Sequence, residues 1–268
     1  MNLQSLNSIS PRELAAIQAA LPTLSLQEKM ELFEALEEKE RRVSRDLAKT
    51  NLIGFAKHVY PGFKVGPHHK KLARIFEDVL SGKKKRVIIN IAPRMGKSEF
   101  SSYLFPAYFL GKFPEKKIIM GTHTASLSED FGRRIRNLIN SDEYGELFPE
   151  TLVAEDQKAA GKWSTSRGGQ YYAAGVGGAL AGRGADLFVI DDPHREQDVK
   201  INSRLAFDTA WSWFQTGPLQ RLMPGGAIIV IMTRWSLLDL TGRLIDYQTK
   251  NPDADQWEIG HPERKPRE

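Results

Sequence analysis

The sequence predicts an α/β protein built on a mainly parallel central sheet flanked by helices, with a helical appendage at its N-terminal side. Three observations predict it. Short apolar runs (Arg86 to Ile91, Lys117 to Met120, Leu187 to Ile190, Ala227 to Met232) recur along the chain without polar alternation, the pattern of strands buried on both faces, as in parallel sheets. Segments of helical periodicity, long enough to serve as crossovers, separate the earlier runs. The first 50 residues lack such runs and carry helix-start signatures instead.

Taken in order, Ser10-Pro11-Arg12-Glu13 and Ser25-Leu26-Gln27-Glu28 each set a serine three residues before a glutamate. In that spacing the hydroxyl and the carboxylate satisfy each other's backbone N–H groups at a helix start. The second box opens an amphipathic helix through Met30, Leu32, Phe33, Leu36 and Val43, whose thin apolar stripe predicts docking on a neighbour. Residues 1–50 thus read as the appendage and 51–250 as the core, which opens with the aromatic-rich stretch Phe55 to Phe63. Residues 251–268 read as a tail or the start of a linker. After the strand ending at Ile91 come a helix from Ser98 to Leu110, the strand Lys117 to Met120 and a helix from Leu127 to Ile139. Trp163 to Gly184, punctuated by Gly168-Gly169, Gly175 and Gly177-Gly178, reads as short strands and turns inserted before the strand Leu187 to Ile190. The last strand, Ala227 to Met232, follows the turn Pro224-Gly225-Gly226 and ends in Thr233-Arg234-Trp235.

Composition narrows the function. The chain has 268 residues, 41% of them hydrophobic, enough for a substantial core. Its net charge of +5 is compatible with a polyanionic partner without requiring one. No run approaches the ~18 apolar residues of a membrane span, and Met1-Asn2-Leu3-Gln4 does not open a signal peptide; neither membrane nor export is predicted. The absence of cysteine excludes a disulfide framework, thiolate chemistry and a cysteine-based zinc site.

The chemistry concentrates where the first strand hands over to a helix. Residues 92–98 read Ala-Pro-Arg-Met-Gly-Lys-Ser. Backbone N–H groups of a tight turn and the positive end of the following helix converge there on an anion, so Pro93, Arg94, Met95, Gly96, Lys97 and Ser98 form a cradle for nucleotide phosphates. Gly96 allows close approach, Lys97 reaches the β- and γ-phosphates, Ser98 can hold Mg²⁺, and the Arg94 guanidinium can fork onto the γ-phosphate or a neighbouring carboxylate. The full G-x-x-x-x-G-K-[ST] pattern would place its first glycine at position 91, where this chain has Ile91. Leu187 to Ile190 runs into Asp191-Asp192, a carboxylate at a strand end suited to a metal's water shell beside those phosphates. The adjacent His68 and His69 lack a third ligand, and no metal is assigned to them.

Four motifs in order, Pro-Arg-Met-Gly-Lys-Ser, Gly-Val-Gly-Gly-Ala-Leu-Ala-Gly-Arg-Gly-Ala-Asp, Ile-Asp-Asp-Pro and Thr-Arg-Trp, resemble the ATPase half of phage large terminase subunits, the motors that package viral DNA, over about Asn51 to Asp246. The resemblance implies a P-loop NTPase of the additional-strand type using ATP and Mg²⁺. It also implies double-stranded DNA, a portal protein and a small terminase subunit as partners. The expected assembly is a homo-oligomeric ring, a pentamer, working in the host bacterial cytoplasm on the procapsid portal. In that family an RNase H-type nuclease domain follows the ATPase half, and none is expected within these residues.

Carried over residue by residue, the resemblance makes Lys97, Ser98 and Asp191 the phosphate and Mg²⁺ residues. Asp192 becomes the group that orients water, where the family often has glutamate, with Glu196 in reserve. Arg183 resembles an arginine inserted into the neighbouring subunit's site, and such a finger is worth ~10³–10⁵ in rate. Thr233 and Arg234 resemble a coupling motif, with helix capping by Thr233 as the plain alternative. Phe63, Pro67, His68 and His69 match where the family contacts adenine, with His68 assigned to the nucleotide. His194 reads as a turn residue, and Trp211, Trp213 and Trp235 as packing residues more than stacking platforms. Lys83-Lys84-Lys85-Arg86 reads as a solvated turn; it and Arg133, Arg134 and Arg136 could meet DNA phosphates. Two other functions stay open: a helicase-like DNA-dependent ATPase and a non-hydrolytic scaffold binding ATP or DNA.

Overall fold

Both N-terminal serines cap as their spacing requires. The Ser10 N–H donates to Glu13 (2.8 Å) while the Glu13 N–H donates to Ser10 Oγ (3.3 Å), and Ser25 and Glu28 repeat the exchange at 2.7 and 3.3 Å. The computed structural model describes residues 9–201, 203–252 and 256–260 and divides into two units, Met1–Gly62 and Phe63–Glu268. The first holds α1 (Pro11–Ala20), α2 (Leu26–Thr50) and α3 (Leu52–Val59). Of the 25 residues of α2 only Leu36 and Ala48 are buried, matching the thin stripe. The unit ends later than position 50 because α3 packs closely on α2: a side chain on Gly54 would lie 2.7 Å from the Leu47 carbonyl oxygen.

The second unit is a mostly parallel α/β fold. In chain order it comprises α4 (Pro67–Leu80), β1 (Arg86–Asn90), a π-helical turn (Glu99–Leu104) running into α5 (Phe105–Lys112), β2 (Lys117–Thr122), α6 (Ala125–Ile139) and α7 (Asp142–Leu147). There follow β3 (Val153–Ala159), β4 (Lys162–Thr165), β5 (Gln170–Gly175), β6 (Ala185–Asp191), α8 (Glu196–Lys200), α9 (Arg204–Thr216), β7 (Leu222–Met232), α10 (Leu240–Lys250) and β8 (Glu258–Gly260). Among the described residues the eight strands lie in the order β3-β4-β5-β2-β6-β7-β1-β8. Every pairing from β5 to β8 is parallel, and only β4 runs against the others, antiparallel to both β3 and β5. The predicted insertion of short strands is β4 and β5, while β3, α7, α8 and α9 carried no sequence expectation. The expected tail contributes β8, paired with β1 at the sheet edge; residues 253–255 and 261–268 lie outside the described residues.

The sheet is buried on both faces, which explains the unbroken apolar runs. Ile88, Phe188, Ile190, Ile228 and Val230 share one core with Trp213 and Phe214 of α9 and Leu240 and Leu244 of α10. The alternating residues Ile89, Val189, Ile229 and Ile231 point the other way and are equally buried. A row of rings, Phe100, Phe76 and Phe105, packs with centroids 6.0 and 4.4 Å apart. Pro224-Gly225-Gly226 is no separate turn. It lies inside β7, where the register with β6 shifts between Ala185 and Leu187 and Gly225 takes φ +82°.

Helix α6 approaches β4 and β5 closely through Gly132. Trp163 Nε1 donates to the Gly132 carbonyl (3.1 Å), the Tyr171 hydroxyl donates to the Ser128 carbonyl (2.6 Å), and the two rings stack at 5.3 Å. A methyl at Gly132 would lie 2.4 Å from both the Ala160 carbonyl oxygen and the Tyr171 ring. Gly132→Ala is therefore expected to destabilise the fold by about 1–3 kcal/mol, read as a lower midpoint in urea unfolding; an unchanged midpoint would contradict this packing.

Candidate functional site

Parallel register brings four strand ends to one level. Thr122 pairs with Asp191, Asp191 with Ile231, and Met232 with Asn90. The loops that follow β1, β6, β7 and β2 therefore share the carboxyl edge of the sheet, where open parallel sheets bind ligands. Each loop brings predicted site residues or their neighbours to this edge.

The loop after β1 turns sharply. Arg94 and Gly96 have φ +61° and +70°, the second costing glycine little and the first costing a side-chain residue roughly 1–2 kcal/mol. Ile91 is buried and its N–H donates to the Met232 carbonyl (3.2 Å), so the missing first glycine is replaced by a sheet-like continuation. Pro93 and Arg94 are exposed on the rim and Met95 is half-buried. Lys97 is only 8% exposed. Its ammonium pairs with Asp192 Oδ2.

Asp191 is the deepest group. Ser102 Oγ donates to its Oδ2 (2.7 Å), the Ser98 hydroxyl also supports it, and its Oδ1 is buried without a hydrogen-bond partner. Burial, then the neighbouring Asp192 charge, push its pKa from 3.8 to about 6 against the opposing pull of Ser102, Ser98 and Lys97. The unpartnered oxygen beside a serine hydroxyl is a hard-oxygen donor pair that suits Mg²⁺, which takes few protein ligands and completes its shell with water and phosphate. Among the described residues no cluster of three or more histidine or acidic side chains could hold a metal by itself, so a cation here would depend on such outside ligands.

Asp192 is the junction. It has φ +42°, unusual for a residue with a side chain. Its Oδ1 accepts the Thr233 N–H (3.1 Å), Oδ2 faces Lys97, and its own N–H donates to the Ile231 carbonyl (3.0 Å). The His123 Nδ1 lies 3.2 Å from its carbonyl oxygen. Thr233 Oγ1 donates to the Ile91 carbonyl (3.2 Å), tying β7's end to the cradle.

The helix cap after β7 is Asp239 and not Thr233. Fully buried, it accepts the N–H groups of Trp235 (3.0 Å), Ser236 (3.1 Å) and Gly242 (2.8 Å) and the Arg234 Nε (3.1 Å). Arg234 is thereby committed to its own loop. His194 differs from the turn residue expected: it is buried, and its Nε2 accepts the Leu240 N–H (2.9 Å). Burial holds its pKa down at about 4, so it remains a neutral acceptor.

Not every predicted residue joins this cluster. Glu196 is exposed and pairs with Lys200 (2.8 Å). Arg183 precedes β6, and its guanidinium lies 4.7 Å over the Tyr172 ring. Tyr172 lies on β5, where the register through Ile119 places it level with Phe188, so the guanidinium is not part of the Lys97–Asp191–Asp192 cluster. The glycine-rich segment before it is anchored, with Gly178 accepting from Trp213 Nε1 (3.2 Å) and Leu180 buried; it borders a groove of about 590 Å³ against α9. Of the two histidines of α4, His69 and not His68 faces the cradle: a side chain on Gly96 would lie 3.2 Å from His69 Nε2. His69 Nδ1 accepts the Gly66 N–H (3.0 Å), and burial, with His68 beside it, lowers its pKa to about 4. Phe63 packs on His69 at 5.0 Å.

The basic clusters are largely paired. Arg134 forks onto Glu99 (2.6 and 2.7 Å) and covers Tyr103, Arg133 meets Asp130 (2.8 Å), and Lys83 and Lys84 share Asp78 (3.9 and 3.6 Å). Trp213 is buried and Trp211 stacks on Phe214 at 6.0 Å, whereas Trp235 is exposed.

Ser102, His123 and Asp239 carried no sequence expectation. The four-residue spacing from Ser98 is the signal that could have found Ser102, and an aspartate three residues before Gly242 the one that could have found the cap. His123 had no local signal, because its partner is 69 residues away.

Fold and site together define an α/β protein with a mostly parallel sheet and polar loops gathered at its carboxyl edge, compatible with a P-loop-like fold. No protein-family model and no curated protein sequence matches the chain. Among the described residues no helix is long and apolar enough to cross a membrane.

The raised Asp191 pKa has a sign. The folded chain keeps a proton that the unfolded chain releases between pH 3.8 and about 6, so this group's contribution to stability falls as pH rises through that window. Without divalent cations, Asp191→Asn should be more stable than the parent above about pH 6, with the gap closing below about pH 4. Thermal unfolding across that range checks it, and a pH-independent difference would contradict it.

Proposed function

We propose that this chain is the Mg²⁺-ATP-hydrolysing motor part of a phage large terminase subunit, driving double-stranded DNA through a portal into a procapsid. The observation that carries the hydrolytic reading is the convergence of Lys97, Ser98, Asp191, Asp192 and Thr233 at the carboxyl ends of β1, β6 and β7. The strand order supports the additional-strand type of P-loop NTPase, because β7 lies between the cradle strand β1 and the aspartate strand β6. The packaging assignment rests on the four ordered motifs and their resemblance to terminases.

On this reading, nucleotide phosphates displace Asp192 from Lys97, whose charge then stabilises the transferring phosphoryl group. Ser98 and Asp191 would hold Mg²⁺, which neutralises the β- and γ-oxygens when bound. Asp192, released from the ammonium, orients the attacking water from the same strand end. Arg94 stands on the loop rim, free to reach the γ-phosphate side. Arg183, held on Tyr172 outside the Lys97–Asp191 cluster, would act on a neighbouring subunit of a ring. DNA contact would be phosphate-directed and salt-sensitive. The portal, the small terminase subunit and the host cytoplasm belong to the same proposal.

Phosphate release from Mg²⁺-ATP over a protein concentration series tests this. Turnover per subunit should rise with concentration as sites become shared. Lys97→Ala should fall to background with its thermal unfolding retained, and Arg183→Ala should lose about 10³-fold of the assembled rate. Equal turnover per subunit at all concentrations would instead indicate a self-contained ATPase, and none under any condition a non-hydrolytic scaffold.

A further inference from the structure

We infer that His123, at the end of β2, is a positioning residue that holds the Asp192 peptide in its left-handed conformation and so aims the Asp192 carboxylate at the cradle. The inference rests on the ATPase reading for its catalytic consequence, but its geometry stands independently. A carbonyl oxygen only accepts, so the His123 Nδ1 lying 3.2 Å from the Asp192 carbonyl must carry the proton. In the neutral ring that is the Nδ1–H tautomer, with Nε2 as the acceptor. His123 is half-buried and borders a cavity of about 290 Å³ also lined by Pro193, His194, Arg195 and Asp198.

The constraint matters because of what Asp192 is asked to do. At φ +42° its peptide is turned so that the carboxylate meets Lys97 and the Thr233 N–H while the carbonyl points toward β2. A side-chain residue holds such a conformation only when its surroundings fix it at several points. Two of the anchors, Lys97 and Thr233, grip the carboxylate, and the Lys97 contact is the one phosphate binding removes. The backbone anchors that remain are the Asp192 N–H on Ile231 and the His123 bond to the carbonyl. Only the second comes from a side chain, and only it acts from the neighbouring strand β2. His123 therefore keeps Asp192 aimed once Lys97 has let go.

The test uses the whole chain. Long-range ¹⁵N–¹H correlation of the histidine rings, with the His123 signals assigned by their loss in His123→Asn, should show the Nδ1–H tautomer; the Nε2–H tautomer would overturn the inference. His123→Ala should lower kcat for Mg²⁺-ATP about ten- to a hundred-fold, as loss of an outer-shell partner does, with nucleotide affinity nearly unchanged. His123→Asn, whose amide nitrogen takes the Nδ1 position, should recover most of kcat. Unchanged kcat in the alanine variant, or loss that asparagine does not restore, would refute the positioning role. If the parent chain has no turnover at all, the ATPase reading fails while the tautomer still decides the contact.

Discussion

The in-register parallel alignment of β2, β6, β7 and β1 is the constraint on which the rest of the unit from Phe63 onward depends. Because Thr122, Asp191, Ile231, Met232 and Asn90 end at a common level, four loops far apart in sequence meet at one edge. A shift by a single residue would turn Asp191 from the cradle side to the opposite face of the sheet and strand its neighbours with it. The apolar residues buried on both faces oppose such a shift, so the hydrophobic core and the site are specified by the same register.

Within that edge, Asp192 links the elements. Its carboxylate joins the cradle lysine to the backbone after β7, its amide joins β7, and its carbonyl meets β2. Beyond it, His194 accepts from Leu240 and Asp239 gathers Arg234 and three N–H groups at the start of α10. Polar contacts thus run from Lys97 through Asp192 to Thr233, and the chain from Thr233 into Arg234 and Trp235, both held by Asp239, carries the link on to α10. On the proposed motor reading, an anion that takes Lys97 away from Asp192 acts on the first link of that chain, which gives nucleotide state a physical route to the segment expected to respond to it.

The electrostatics divide the labour. Asp191 is buried with one oxygen unpartnered, an arrangement costly alone and relieved by a cation. Asp192 is more exposed and multiply bonded, and Lys97 supplies charge that either the carboxylate or an incoming phosphate can satisfy. His69 and His194 are held neutral by burial, so neither adds charge near the cradle. Arg183 rests on Tyr172 and takes no part in this cluster.

The sequence by itself determined the local elements whose causes are local: the two capping boxes, the strand runs, the strand-to-helix cradle and the carboxylates ending β6. These are set by spacing, by burial on both faces and by glycine's tolerance of a left-handed turn at Gly96. The sequence was also enough to single out Lys97, Ser98 and Asp191, because each lies beside the end of an apolar run. Only tertiary structure decided which histidine of α4 faces the cradle, that the Arg183 side chain lies on Tyr172, and that His123 meets Asp192. Those relations depend on strand order and register, and contacts between residues 69 positions apart leave no periodic trace in either segment. The basic clusters make the same point: Arg134 reads as free positive charge in one dimension, and folding spends it on Glu99.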